Sequence, residues 1–220
     1  METVMPMETR AVQAAIGVDF DNTIASYDET LFRLAREFGF VGDDTPPHKR
    51  AVRDAVRRLE HGAEHWQRLQ AHIYGPGMAE ARMFPGVWEF FLECRRKQVP
   101  VYIVSHKTRL APLGNTEVDL RAAALAWMRT NRFFQSDGLG LRPEQVFFEP
   151  SRAEKLARIA QLSLAHFIDD LEETFCEEAF PEGVERLLFA PHGTESSGPW
   201  QVFTTWQAIH EHLLGSTHAV

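Results

Sequence analysis

Asp19 and Asp21 stand two positions apart at the end of the apolar run Ala14-Ala15-Ile16-Gly17-Val18. Such a run reads as a buried strand. Asp is depleted in strands, so two of them at a strand's end carry a cost that needs a reason. In parallel α/β sheets, ligands bind just outside the carboxyl ends of the strands. Two carboxylates there form the core of a Mg²⁺ site, and one of them can also act as a nucleophile.

Three further positions have the same character. Ser105 follows the apolar stretch 101–104, Lys155 sits in the first turn behind a helix cap at Ser151, and Asp169-Asp170 follow Phe167-Ile168. Each has an ordinary reading taken alone. Asp21-Asn22-Thr23 are turn-forming residues. A serine is often just a loop residue, and a lysine on a helix is usually solvated. Asp169 and Asp170 could cap a helix, with Glu172 and Glu173 behind them. Yet a cation in a helix's first turn opposes the macrodipole, which points to an anionic partner for Lys155. Jointly, the ordinary readings need four coincidences at one end of one sheet.

The four together suit phosphate monoester chemistry. Mg²⁺ neutralises the anionic ester and aligns its phosphoryl group. Asp19 is the better-placed nucleophile and would form an aspartyl-phosphate. Asp21 would protonate the leaving alkoxide and then deprotonate the hydrolytic water. Ser105 can donate a hydrogen bond to a phosphoryl oxygen, and Lys155 can stabilise the developing charge. Asp169 would ligate Mg²⁺, with Asp170 a second ligand or an outer partner. Thr23 is expected to orient Asp21 and its turn. Backbone N–H groups near Phe20 and Asn22 could hold phosphoryl oxygens, and His106, Lys107 and Arg109 should border the site.

The surrounding elements follow from periodicity. A strand over 14–20 is followed by a helix behind a capping box at Ser26 to Glu29, with Leu31, Leu34, Ala35 and Phe38 recurring on one face. A second helix carries Val52, Ala55, Val56 and Leu59, and a third runs through Trp66, Leu69 and Ile73 to Gly75-Pro76-Gly77. This block shows no convincing strand. The α/β rhythm resumes at Phe84, with a helix through Val87, Phe90, Phe91 and Cys94 and a strand over 99–104. Residues 115–117 open a helix with Val118, Ala122 and Leu125 on one side. Strands follow at 146–148, 165–168 and 187–189, with a helix behind the Ser151–Glu154 capping box and a terminal helix through Trp206, Ile209 and Leu213. Alternating strands and helices imply an α/β, Rossmann-like, mostly parallel sheet flanked by helices. The expected organisation is a tail over 1–10, an α/β core over 11–25 and 84–220, and a small all-α cap inserted at 26–83.

In this order and context, the four polar motifs and the helical insertion resemble the haloacid dehalogenase (HAD) superfamily of phosphohydrolases. The resemblance covers nearly all of the chain from about Ala14. It implies a HAD-like phosphoric monoester hydrolase with Mg²⁺ held by Asp19, Asp21, Asp169 and Asp170, where Asp21 contributes its backbone carbonyl. Members that cleave carbon–halogen bonds lack the second carboxylate, because halide leaves without a proton. Asp21 therefore points to a phosphorylated small molecule, a sugar phosphate or a nucleotide. A phosphotransferase or mutase would use the same intermediate. A non-catalytic receiver-like phospho-acceptor also uses Asp, Ser/Thr and Lys at strand ends, but receivers are much shorter and carry an adjacent acidic pair.

The composition is that of a globular protein, with 44% hydrophobic and 25% charged residues. Cys94 and Cys176 have no framework spacing, so a reducing cytoplasm is the expected location. No apolar run is long enough to span a bilayer, and the first ten residues lack a signal-peptide core. The net charge of −8 argues against a nucleic-acid polymer as partner. The insertion departs from that acidic balance, with nine basic residues against nine acids. Its run from His48-Lys49-Arg50 to Arg57-Arg58 could face an anionic substrate, although a solvated helix face is the commoner fate.

Overall fold

The computed structural model describes residues 14–110 and 118–215. In chain order the elements are β1 (Ile16–Val18), β2 (Ala25–Ser26), α1 (Asp28–Glu37), α2 (Lys49–Arg57), α3 (Gly62–Tyr74), β3 (Arg82–Met83), α4 (Val87–Lys97), β4 (Val101–His106), α5 (Leu120–Thr130), β5 (Val146–Glu149), α6 (Arg152–Gln161), β6 (His166–Asp169), α7 (Glu172–Phe175), β7 (Glu185–Phe189), β8 (Gln201–Phe203) and α8 (Trp206–Leu214).

Six strands form one sheet in the order β5-β4-β1-β6-β7-β8, with every neighbouring pair parallel. This is the α/β, Rossmann-like architecture that the alternation implied. The chain winds outward from β1 through β4 to β5, then returns to β6 on the other side of β1 and winds outward again. That reversal makes the carboxyl end of β1 the topological switch point, where such sheets open a crevice.

β1 is short because Asp19 already lies past its end, not within the strand as the 14–20 reading had it. All of β1 is buried, and Gly17 is needed there: a Cβ would meet the Phe167 ring of β6 at 2.6 Å. After β1 the chain turns sharply. Ile24 and Ala25 both donate to the Phe20 carbonyl at 3.0 Å, and Asn22 donates to Ala25 at 2.8 Å. Asn22 adopts φ 64°, a left-handed conformation that asparagine tolerates better than most residues. Phe20 anchors this turn in the core, edge-on to Trp127 at 5.6 Å and Phe148 at 5.7 Å. Trp206 of α8 adds a bond from its indole N–H to the Thr23 carbonyl at 3.0 Å.

Between β1 and α4 lies the helical segment α1–α3. Its two ends form an antiparallel ribbon, in which Ala25 pairs with Met83 and Ser26 with Arg82. The sequence reading missed this ribbon, because two residues per strand carry no periodicity. It also misplaced the capping box, since Ser26 is a ribbon residue and α1 starts behind Tyr27 with no side-chain cap. Leu59 lies beyond the end of α2 and is exposed.

Elsewhere α6 keeps its cap: Ser151 Oγ accepts from the Glu154 N–H at 3.2 Å and donates to the Glu154 carboxylate at 2.6 Å. Cys94 packs in the core, and burial pushes its thiol up to about 12. The tail over 1–10 and the opening at 115–117 lie outside the described residues. The described helix α5 is instead capped by Asp119, whose carboxylate accepts from Arg121 and Ala122. Its buried face is Leu120, Ala124, Trp127 and Met128, not Val118, Ala122 and Leu125. The edge strand β8 and the single turn α7 were also unforeseen. Among the described residues, no helix is long and apolar enough to cross a membrane.

Candidate active site

β1, β4, α6 and β6 deliver their polar residues to one end of the sheet. The Asp19 N–H donates to the Ile168 carbonyl of β6 at 2.8 Å, which sets Asp19 beside Asp169. Lys155, one turn into α6, reaches between them. Its Nζ lies 2.6 Å from Asp19 Oδ1 and 2.6 Å from Asp169 Oδ2. All three side chains are almost fully buried. Burial pulls the Lys155 ammonium down, but Asp169 and Asp19 outweigh it and leave the group above its ordinary value. Burial pushes the Asp19 carboxyl up to about 7, with Lys155 opposing and Asp169, Asp170 and Asp21 adding to the rise.

Asp21 is held separately. Lys107 Nζ donates to its Oδ2 at 2.8 Å and Oδ1 at 3.0 Å, and the Tyr27 hydroxyl donates to Oδ1 at 2.5 Å. Lys107 also lies over the Tyr74 ring, 4.8 Å from its centroid. Burial, and then the neighbouring Asp21 charge, raise the Tyr27 phenol well above its ordinary value, so it remains a donor. Asp170 is met from α2, where Lys49 Nζ lies 2.8 Å from its Oδ2. Burial raises the Asp170 carboxyl, with Lys49 opposing.

Four carboxylates are thus served by three ammonium groups. Oxygens of Asp19, Asp169 and Asp170 come within 4.8 Å of one another, a grouping that could hold a metal ion. The donors are all oxygen, which suits a hard divalent cation. Burying uncompensated negative charge is costly, and a divalent cation would remove that cost.

A cavity of about 450 Å³ opens over these groups. Asp19, Asp21, Asn22, Ser105, His106, Lys107 and Asp170 all line it. Ser105 is the fifth residue of β4 and is buried, whereas His106 ends the strand and is exposed. Lys107 follows the end of β4 and is buried against Asp21.

Two expectations change. The Asn22 N–H already donates to the Ala25 carbonyl at 2.8 Å and so is not free for a phosphoryl oxygen, whereas the Phe20 side chain lies in the core and leaves its backbone as the expected contact. The Thr23 hydroxyl is buried without a hydrogen-bond partner, so it does not orient Asp21; that task falls to Lys107 and Tyr27.

No protein-family model and no curated protein matches the chain. Solved structures do match. A HAD family hydrolase from Deinococcus radiodurans R1, with bound phosphate and sodium, superposes with a TM-score of 0.55 at 15% identity, over 93% of this chain and 96% of its own. A HAD-superfamily hydrolase of subfamily IA, variant 1, from Geobacter sulfurreducens PCA gives 0.54 at 13% identity, over 94% and 100%. Protein Tyrosine Kinase A from Mycobacterium tuberculosis gives 0.59 at 16% identity, over 93% and 100%.

The chain has the HAD-like fold. Within that fold, sequence reasoning missed two side chains that touch the acidic cluster. Tyr27 was hidden in an apparent capping box. Lys49 belonged to a cationic run that looked solvated, and the missing signal was its partner Asp170, 121 positions away.

Proposed function

We propose that this protein is a Mg²⁺-dependent phosphatase of small phosphate monoesters, acting through an aspartyl-phosphate on Asp19 with Asp21 as general acid and base. The observation that carries this reading is the shared cavity. Asp19 and Asp21 line it together, each held by its own lysine.

Asp19, Asp169 and Asp170 are the side chains proposed to hold Mg²⁺, with the Asp21 backbone carbonyl as the further donor that the resemblance implies. When bound, the ion supplies charge neutralisation and alignment of the phosphoryl group. Asp19 Oδ attacks phosphorus as the ester oxygen departs. Asp21 gives its proton to that oxygen, so an alcohol leaves instead of an alkoxide. Asp21 then takes a proton from the water that attacks phosphorus, which releases phosphate and regenerates Asp19. Lys155 holds Asp19 and Asp169 in place and balances charge, and Ser105 donates to a phosphoryl oxygen.

Asp21 favours ester hydrolysis over carbon–halogen cleavage, since a departing halide has no use for a proton donor. We assign the helical segment α1–α3 as a cap that closes over the core and excludes water during phosphoryl transfer. The Lys49–Asp170 pair, which crosses from α2 to the end of β6, supports that role.

A panel of phosphate monoesters assayed with Mg²⁺ tests the reading. Phosphate release from some member, abolished by EDTA and by Asp19→Asn, is the expected result. Failure to release phosphate from any monoester would overturn it.

A further inference from the structure

Helix α2 presents Lys49, Arg53 and Arg57 at four-residue intervals, each about 6 Å further along the axis. All three line the cavity that contains Asp19 and Ser105. Lys49, at the near end, is engaged by Asp170. Among the described residues, the one carboxylate that Arg53 meets is the half-exposed Asp54 of its own helix, at 3.0 Å. Arg57 has no carboxylate within ion-pair range among the described residues.

This row has a cost. Like charges four apart on a helix repel. At the start of α2 the cations are already met, since Asp28 accepts from the Lys49 N–H at 2.7 Å and Glu172 lies 3.7 Å from Arg50, so the unmet charge lies further along, at Arg53 and Arg57. An anion held between Arg53 and Arg57 would offset the repulsion between them. The phosphoryl group cannot be that anion, because its place is at the Asp19 end, one to two helical turns away.

Resting on the phosphatase reading, we infer that the substrate carries a second anionic group, a carboxylate or another phosphate, that Arg53 and Arg57 receive at the far end of the cavity. The aromatic lining does not favour a nucleobase there. Trp66 is buried, and the Tyr74 ring is engaged by Lys107 and packs edge-on to Tyr27 at 5.1 Å.

Binding can be tested without turnover, with non-hydrolysable phosphonates. Calorimetry on the wild-type protein with Mg²⁺ compares butylphosphonate, 4-phosphonobutyrate and butane-1,4-bisphosphonate. We expect the second anion to tighten binding by about tenfold or more, and the carboxylate and bisphosphonate arms tell which anion is preferred. In Arg53→Gln and Arg57→Gln, the ratio of affinities should fall toward one. Equal binding of the three ligands, no binding of any, or a ratio unchanged in both variants would overturn the inference. Hydrolysis of p-nitrophenyl phosphate, measured in parallel, reports separately on the phosphatase reading.

Discussion

Lys107 Nζ lies 2.8 Å from Asp21 Oδ2, and its side chain is only 2% exposed. The chain therefore fixes its proposed acid–base with a buried ammonium that arrives from the end of β4, two residues after Ser105. If that contact positions Asp21, Lys107→Met should lower kcat by about 10- to 100-fold, because a misplaced proton donor loses most of its contribution. KM should move much less, and Lys107→Arg should recover part of the loss. Steady-state kinetics on any accepted monoester provides the check, and equal activity in wild type and Lys107→Met would refute the positioning role.

The two aspartates should separate in a trapping experiment. Asp19→Asn removes the nucleophile, so no phosphoryl group should attach to the protein. Asp21→Asn keeps the nucleophile and loses the base that activates water. With a substrate whose leaving group needs no proton, Asp21→Asn should accumulate labelled protein that decays about 100-fold more slowly or worse. Acid quenching followed by intact mass measurement reads the adduct. Its absence in Asp21→Asn would dismiss the division of labour.

Lys155 sits between two buried carboxylates at 2.6 Å each. Removing one partner of such a cluster leaves uncompensated buried charge, which typically costs about 3–5 kcal/mol. Lys155→Met should therefore lower the melting temperature clearly in EDTA. Mg²⁺ should then raise it more in the variant than in wild type, since the ion would take over part of the missing positive charge. A Mg²⁺-induced shift that is smaller in Lys155→Met, or absent from both proteins, would speak against Asp19, Asp169 and Asp170 as a cation site.

The convergence of Asp19, Ser105, Lys155 and Asp169 was legible because each ends an apolar strand or opens a capped helix, and parallel topology brings such ends together. The partners of these residues were not legible. Lys49 and Asp170 are 121 positions apart, and periodicity says nothing about contacts between a helical insertion and a strand end. The ribbon of Ala25–Ser26 with Arg82–Met83 was invisible for a related reason: two residues per strand form no pattern, and long-range pairing alone makes them strands. In α5 the error was rotational. A start near 115 favours Val118, Ala122 and Leu125 as the inner face, whereas the Asp119 cap starts the helix at Leu120 and turns Ala124, Trp127 and Met128 inward. Strand β8 escaped because Gln201 and Val202 are exposed on a sheet edge and lack alternation.

Away from the site, Glu185 ties three elements of the sheet's far side together. Its carboxylate meets His166 Nδ1 at 2.7 Å and His212 Nε2 at 2.8 Å, and it accepts from the Gln201 amide. Burial pushes the Glu185 carboxyl up, but the hydrogen bonds to His212 and His166 outweigh it and hold the group below its ordinary value. A carboxyl depressed in the folded state binds its proton less readily than the unfolded chain does. Its contribution to stability is therefore complete above the unfolded value of about 4.3 and is lost as pH falls through the lower folded value. Glu185→Gln cannot titrate, so its melting temperature should fall less steeply than that of wild type between about pH 5 and pH 3. Calorimetric melts across that range decide the matter, and parallel curves for the two proteins would show that this cluster contributes nothing to acid sensitivity.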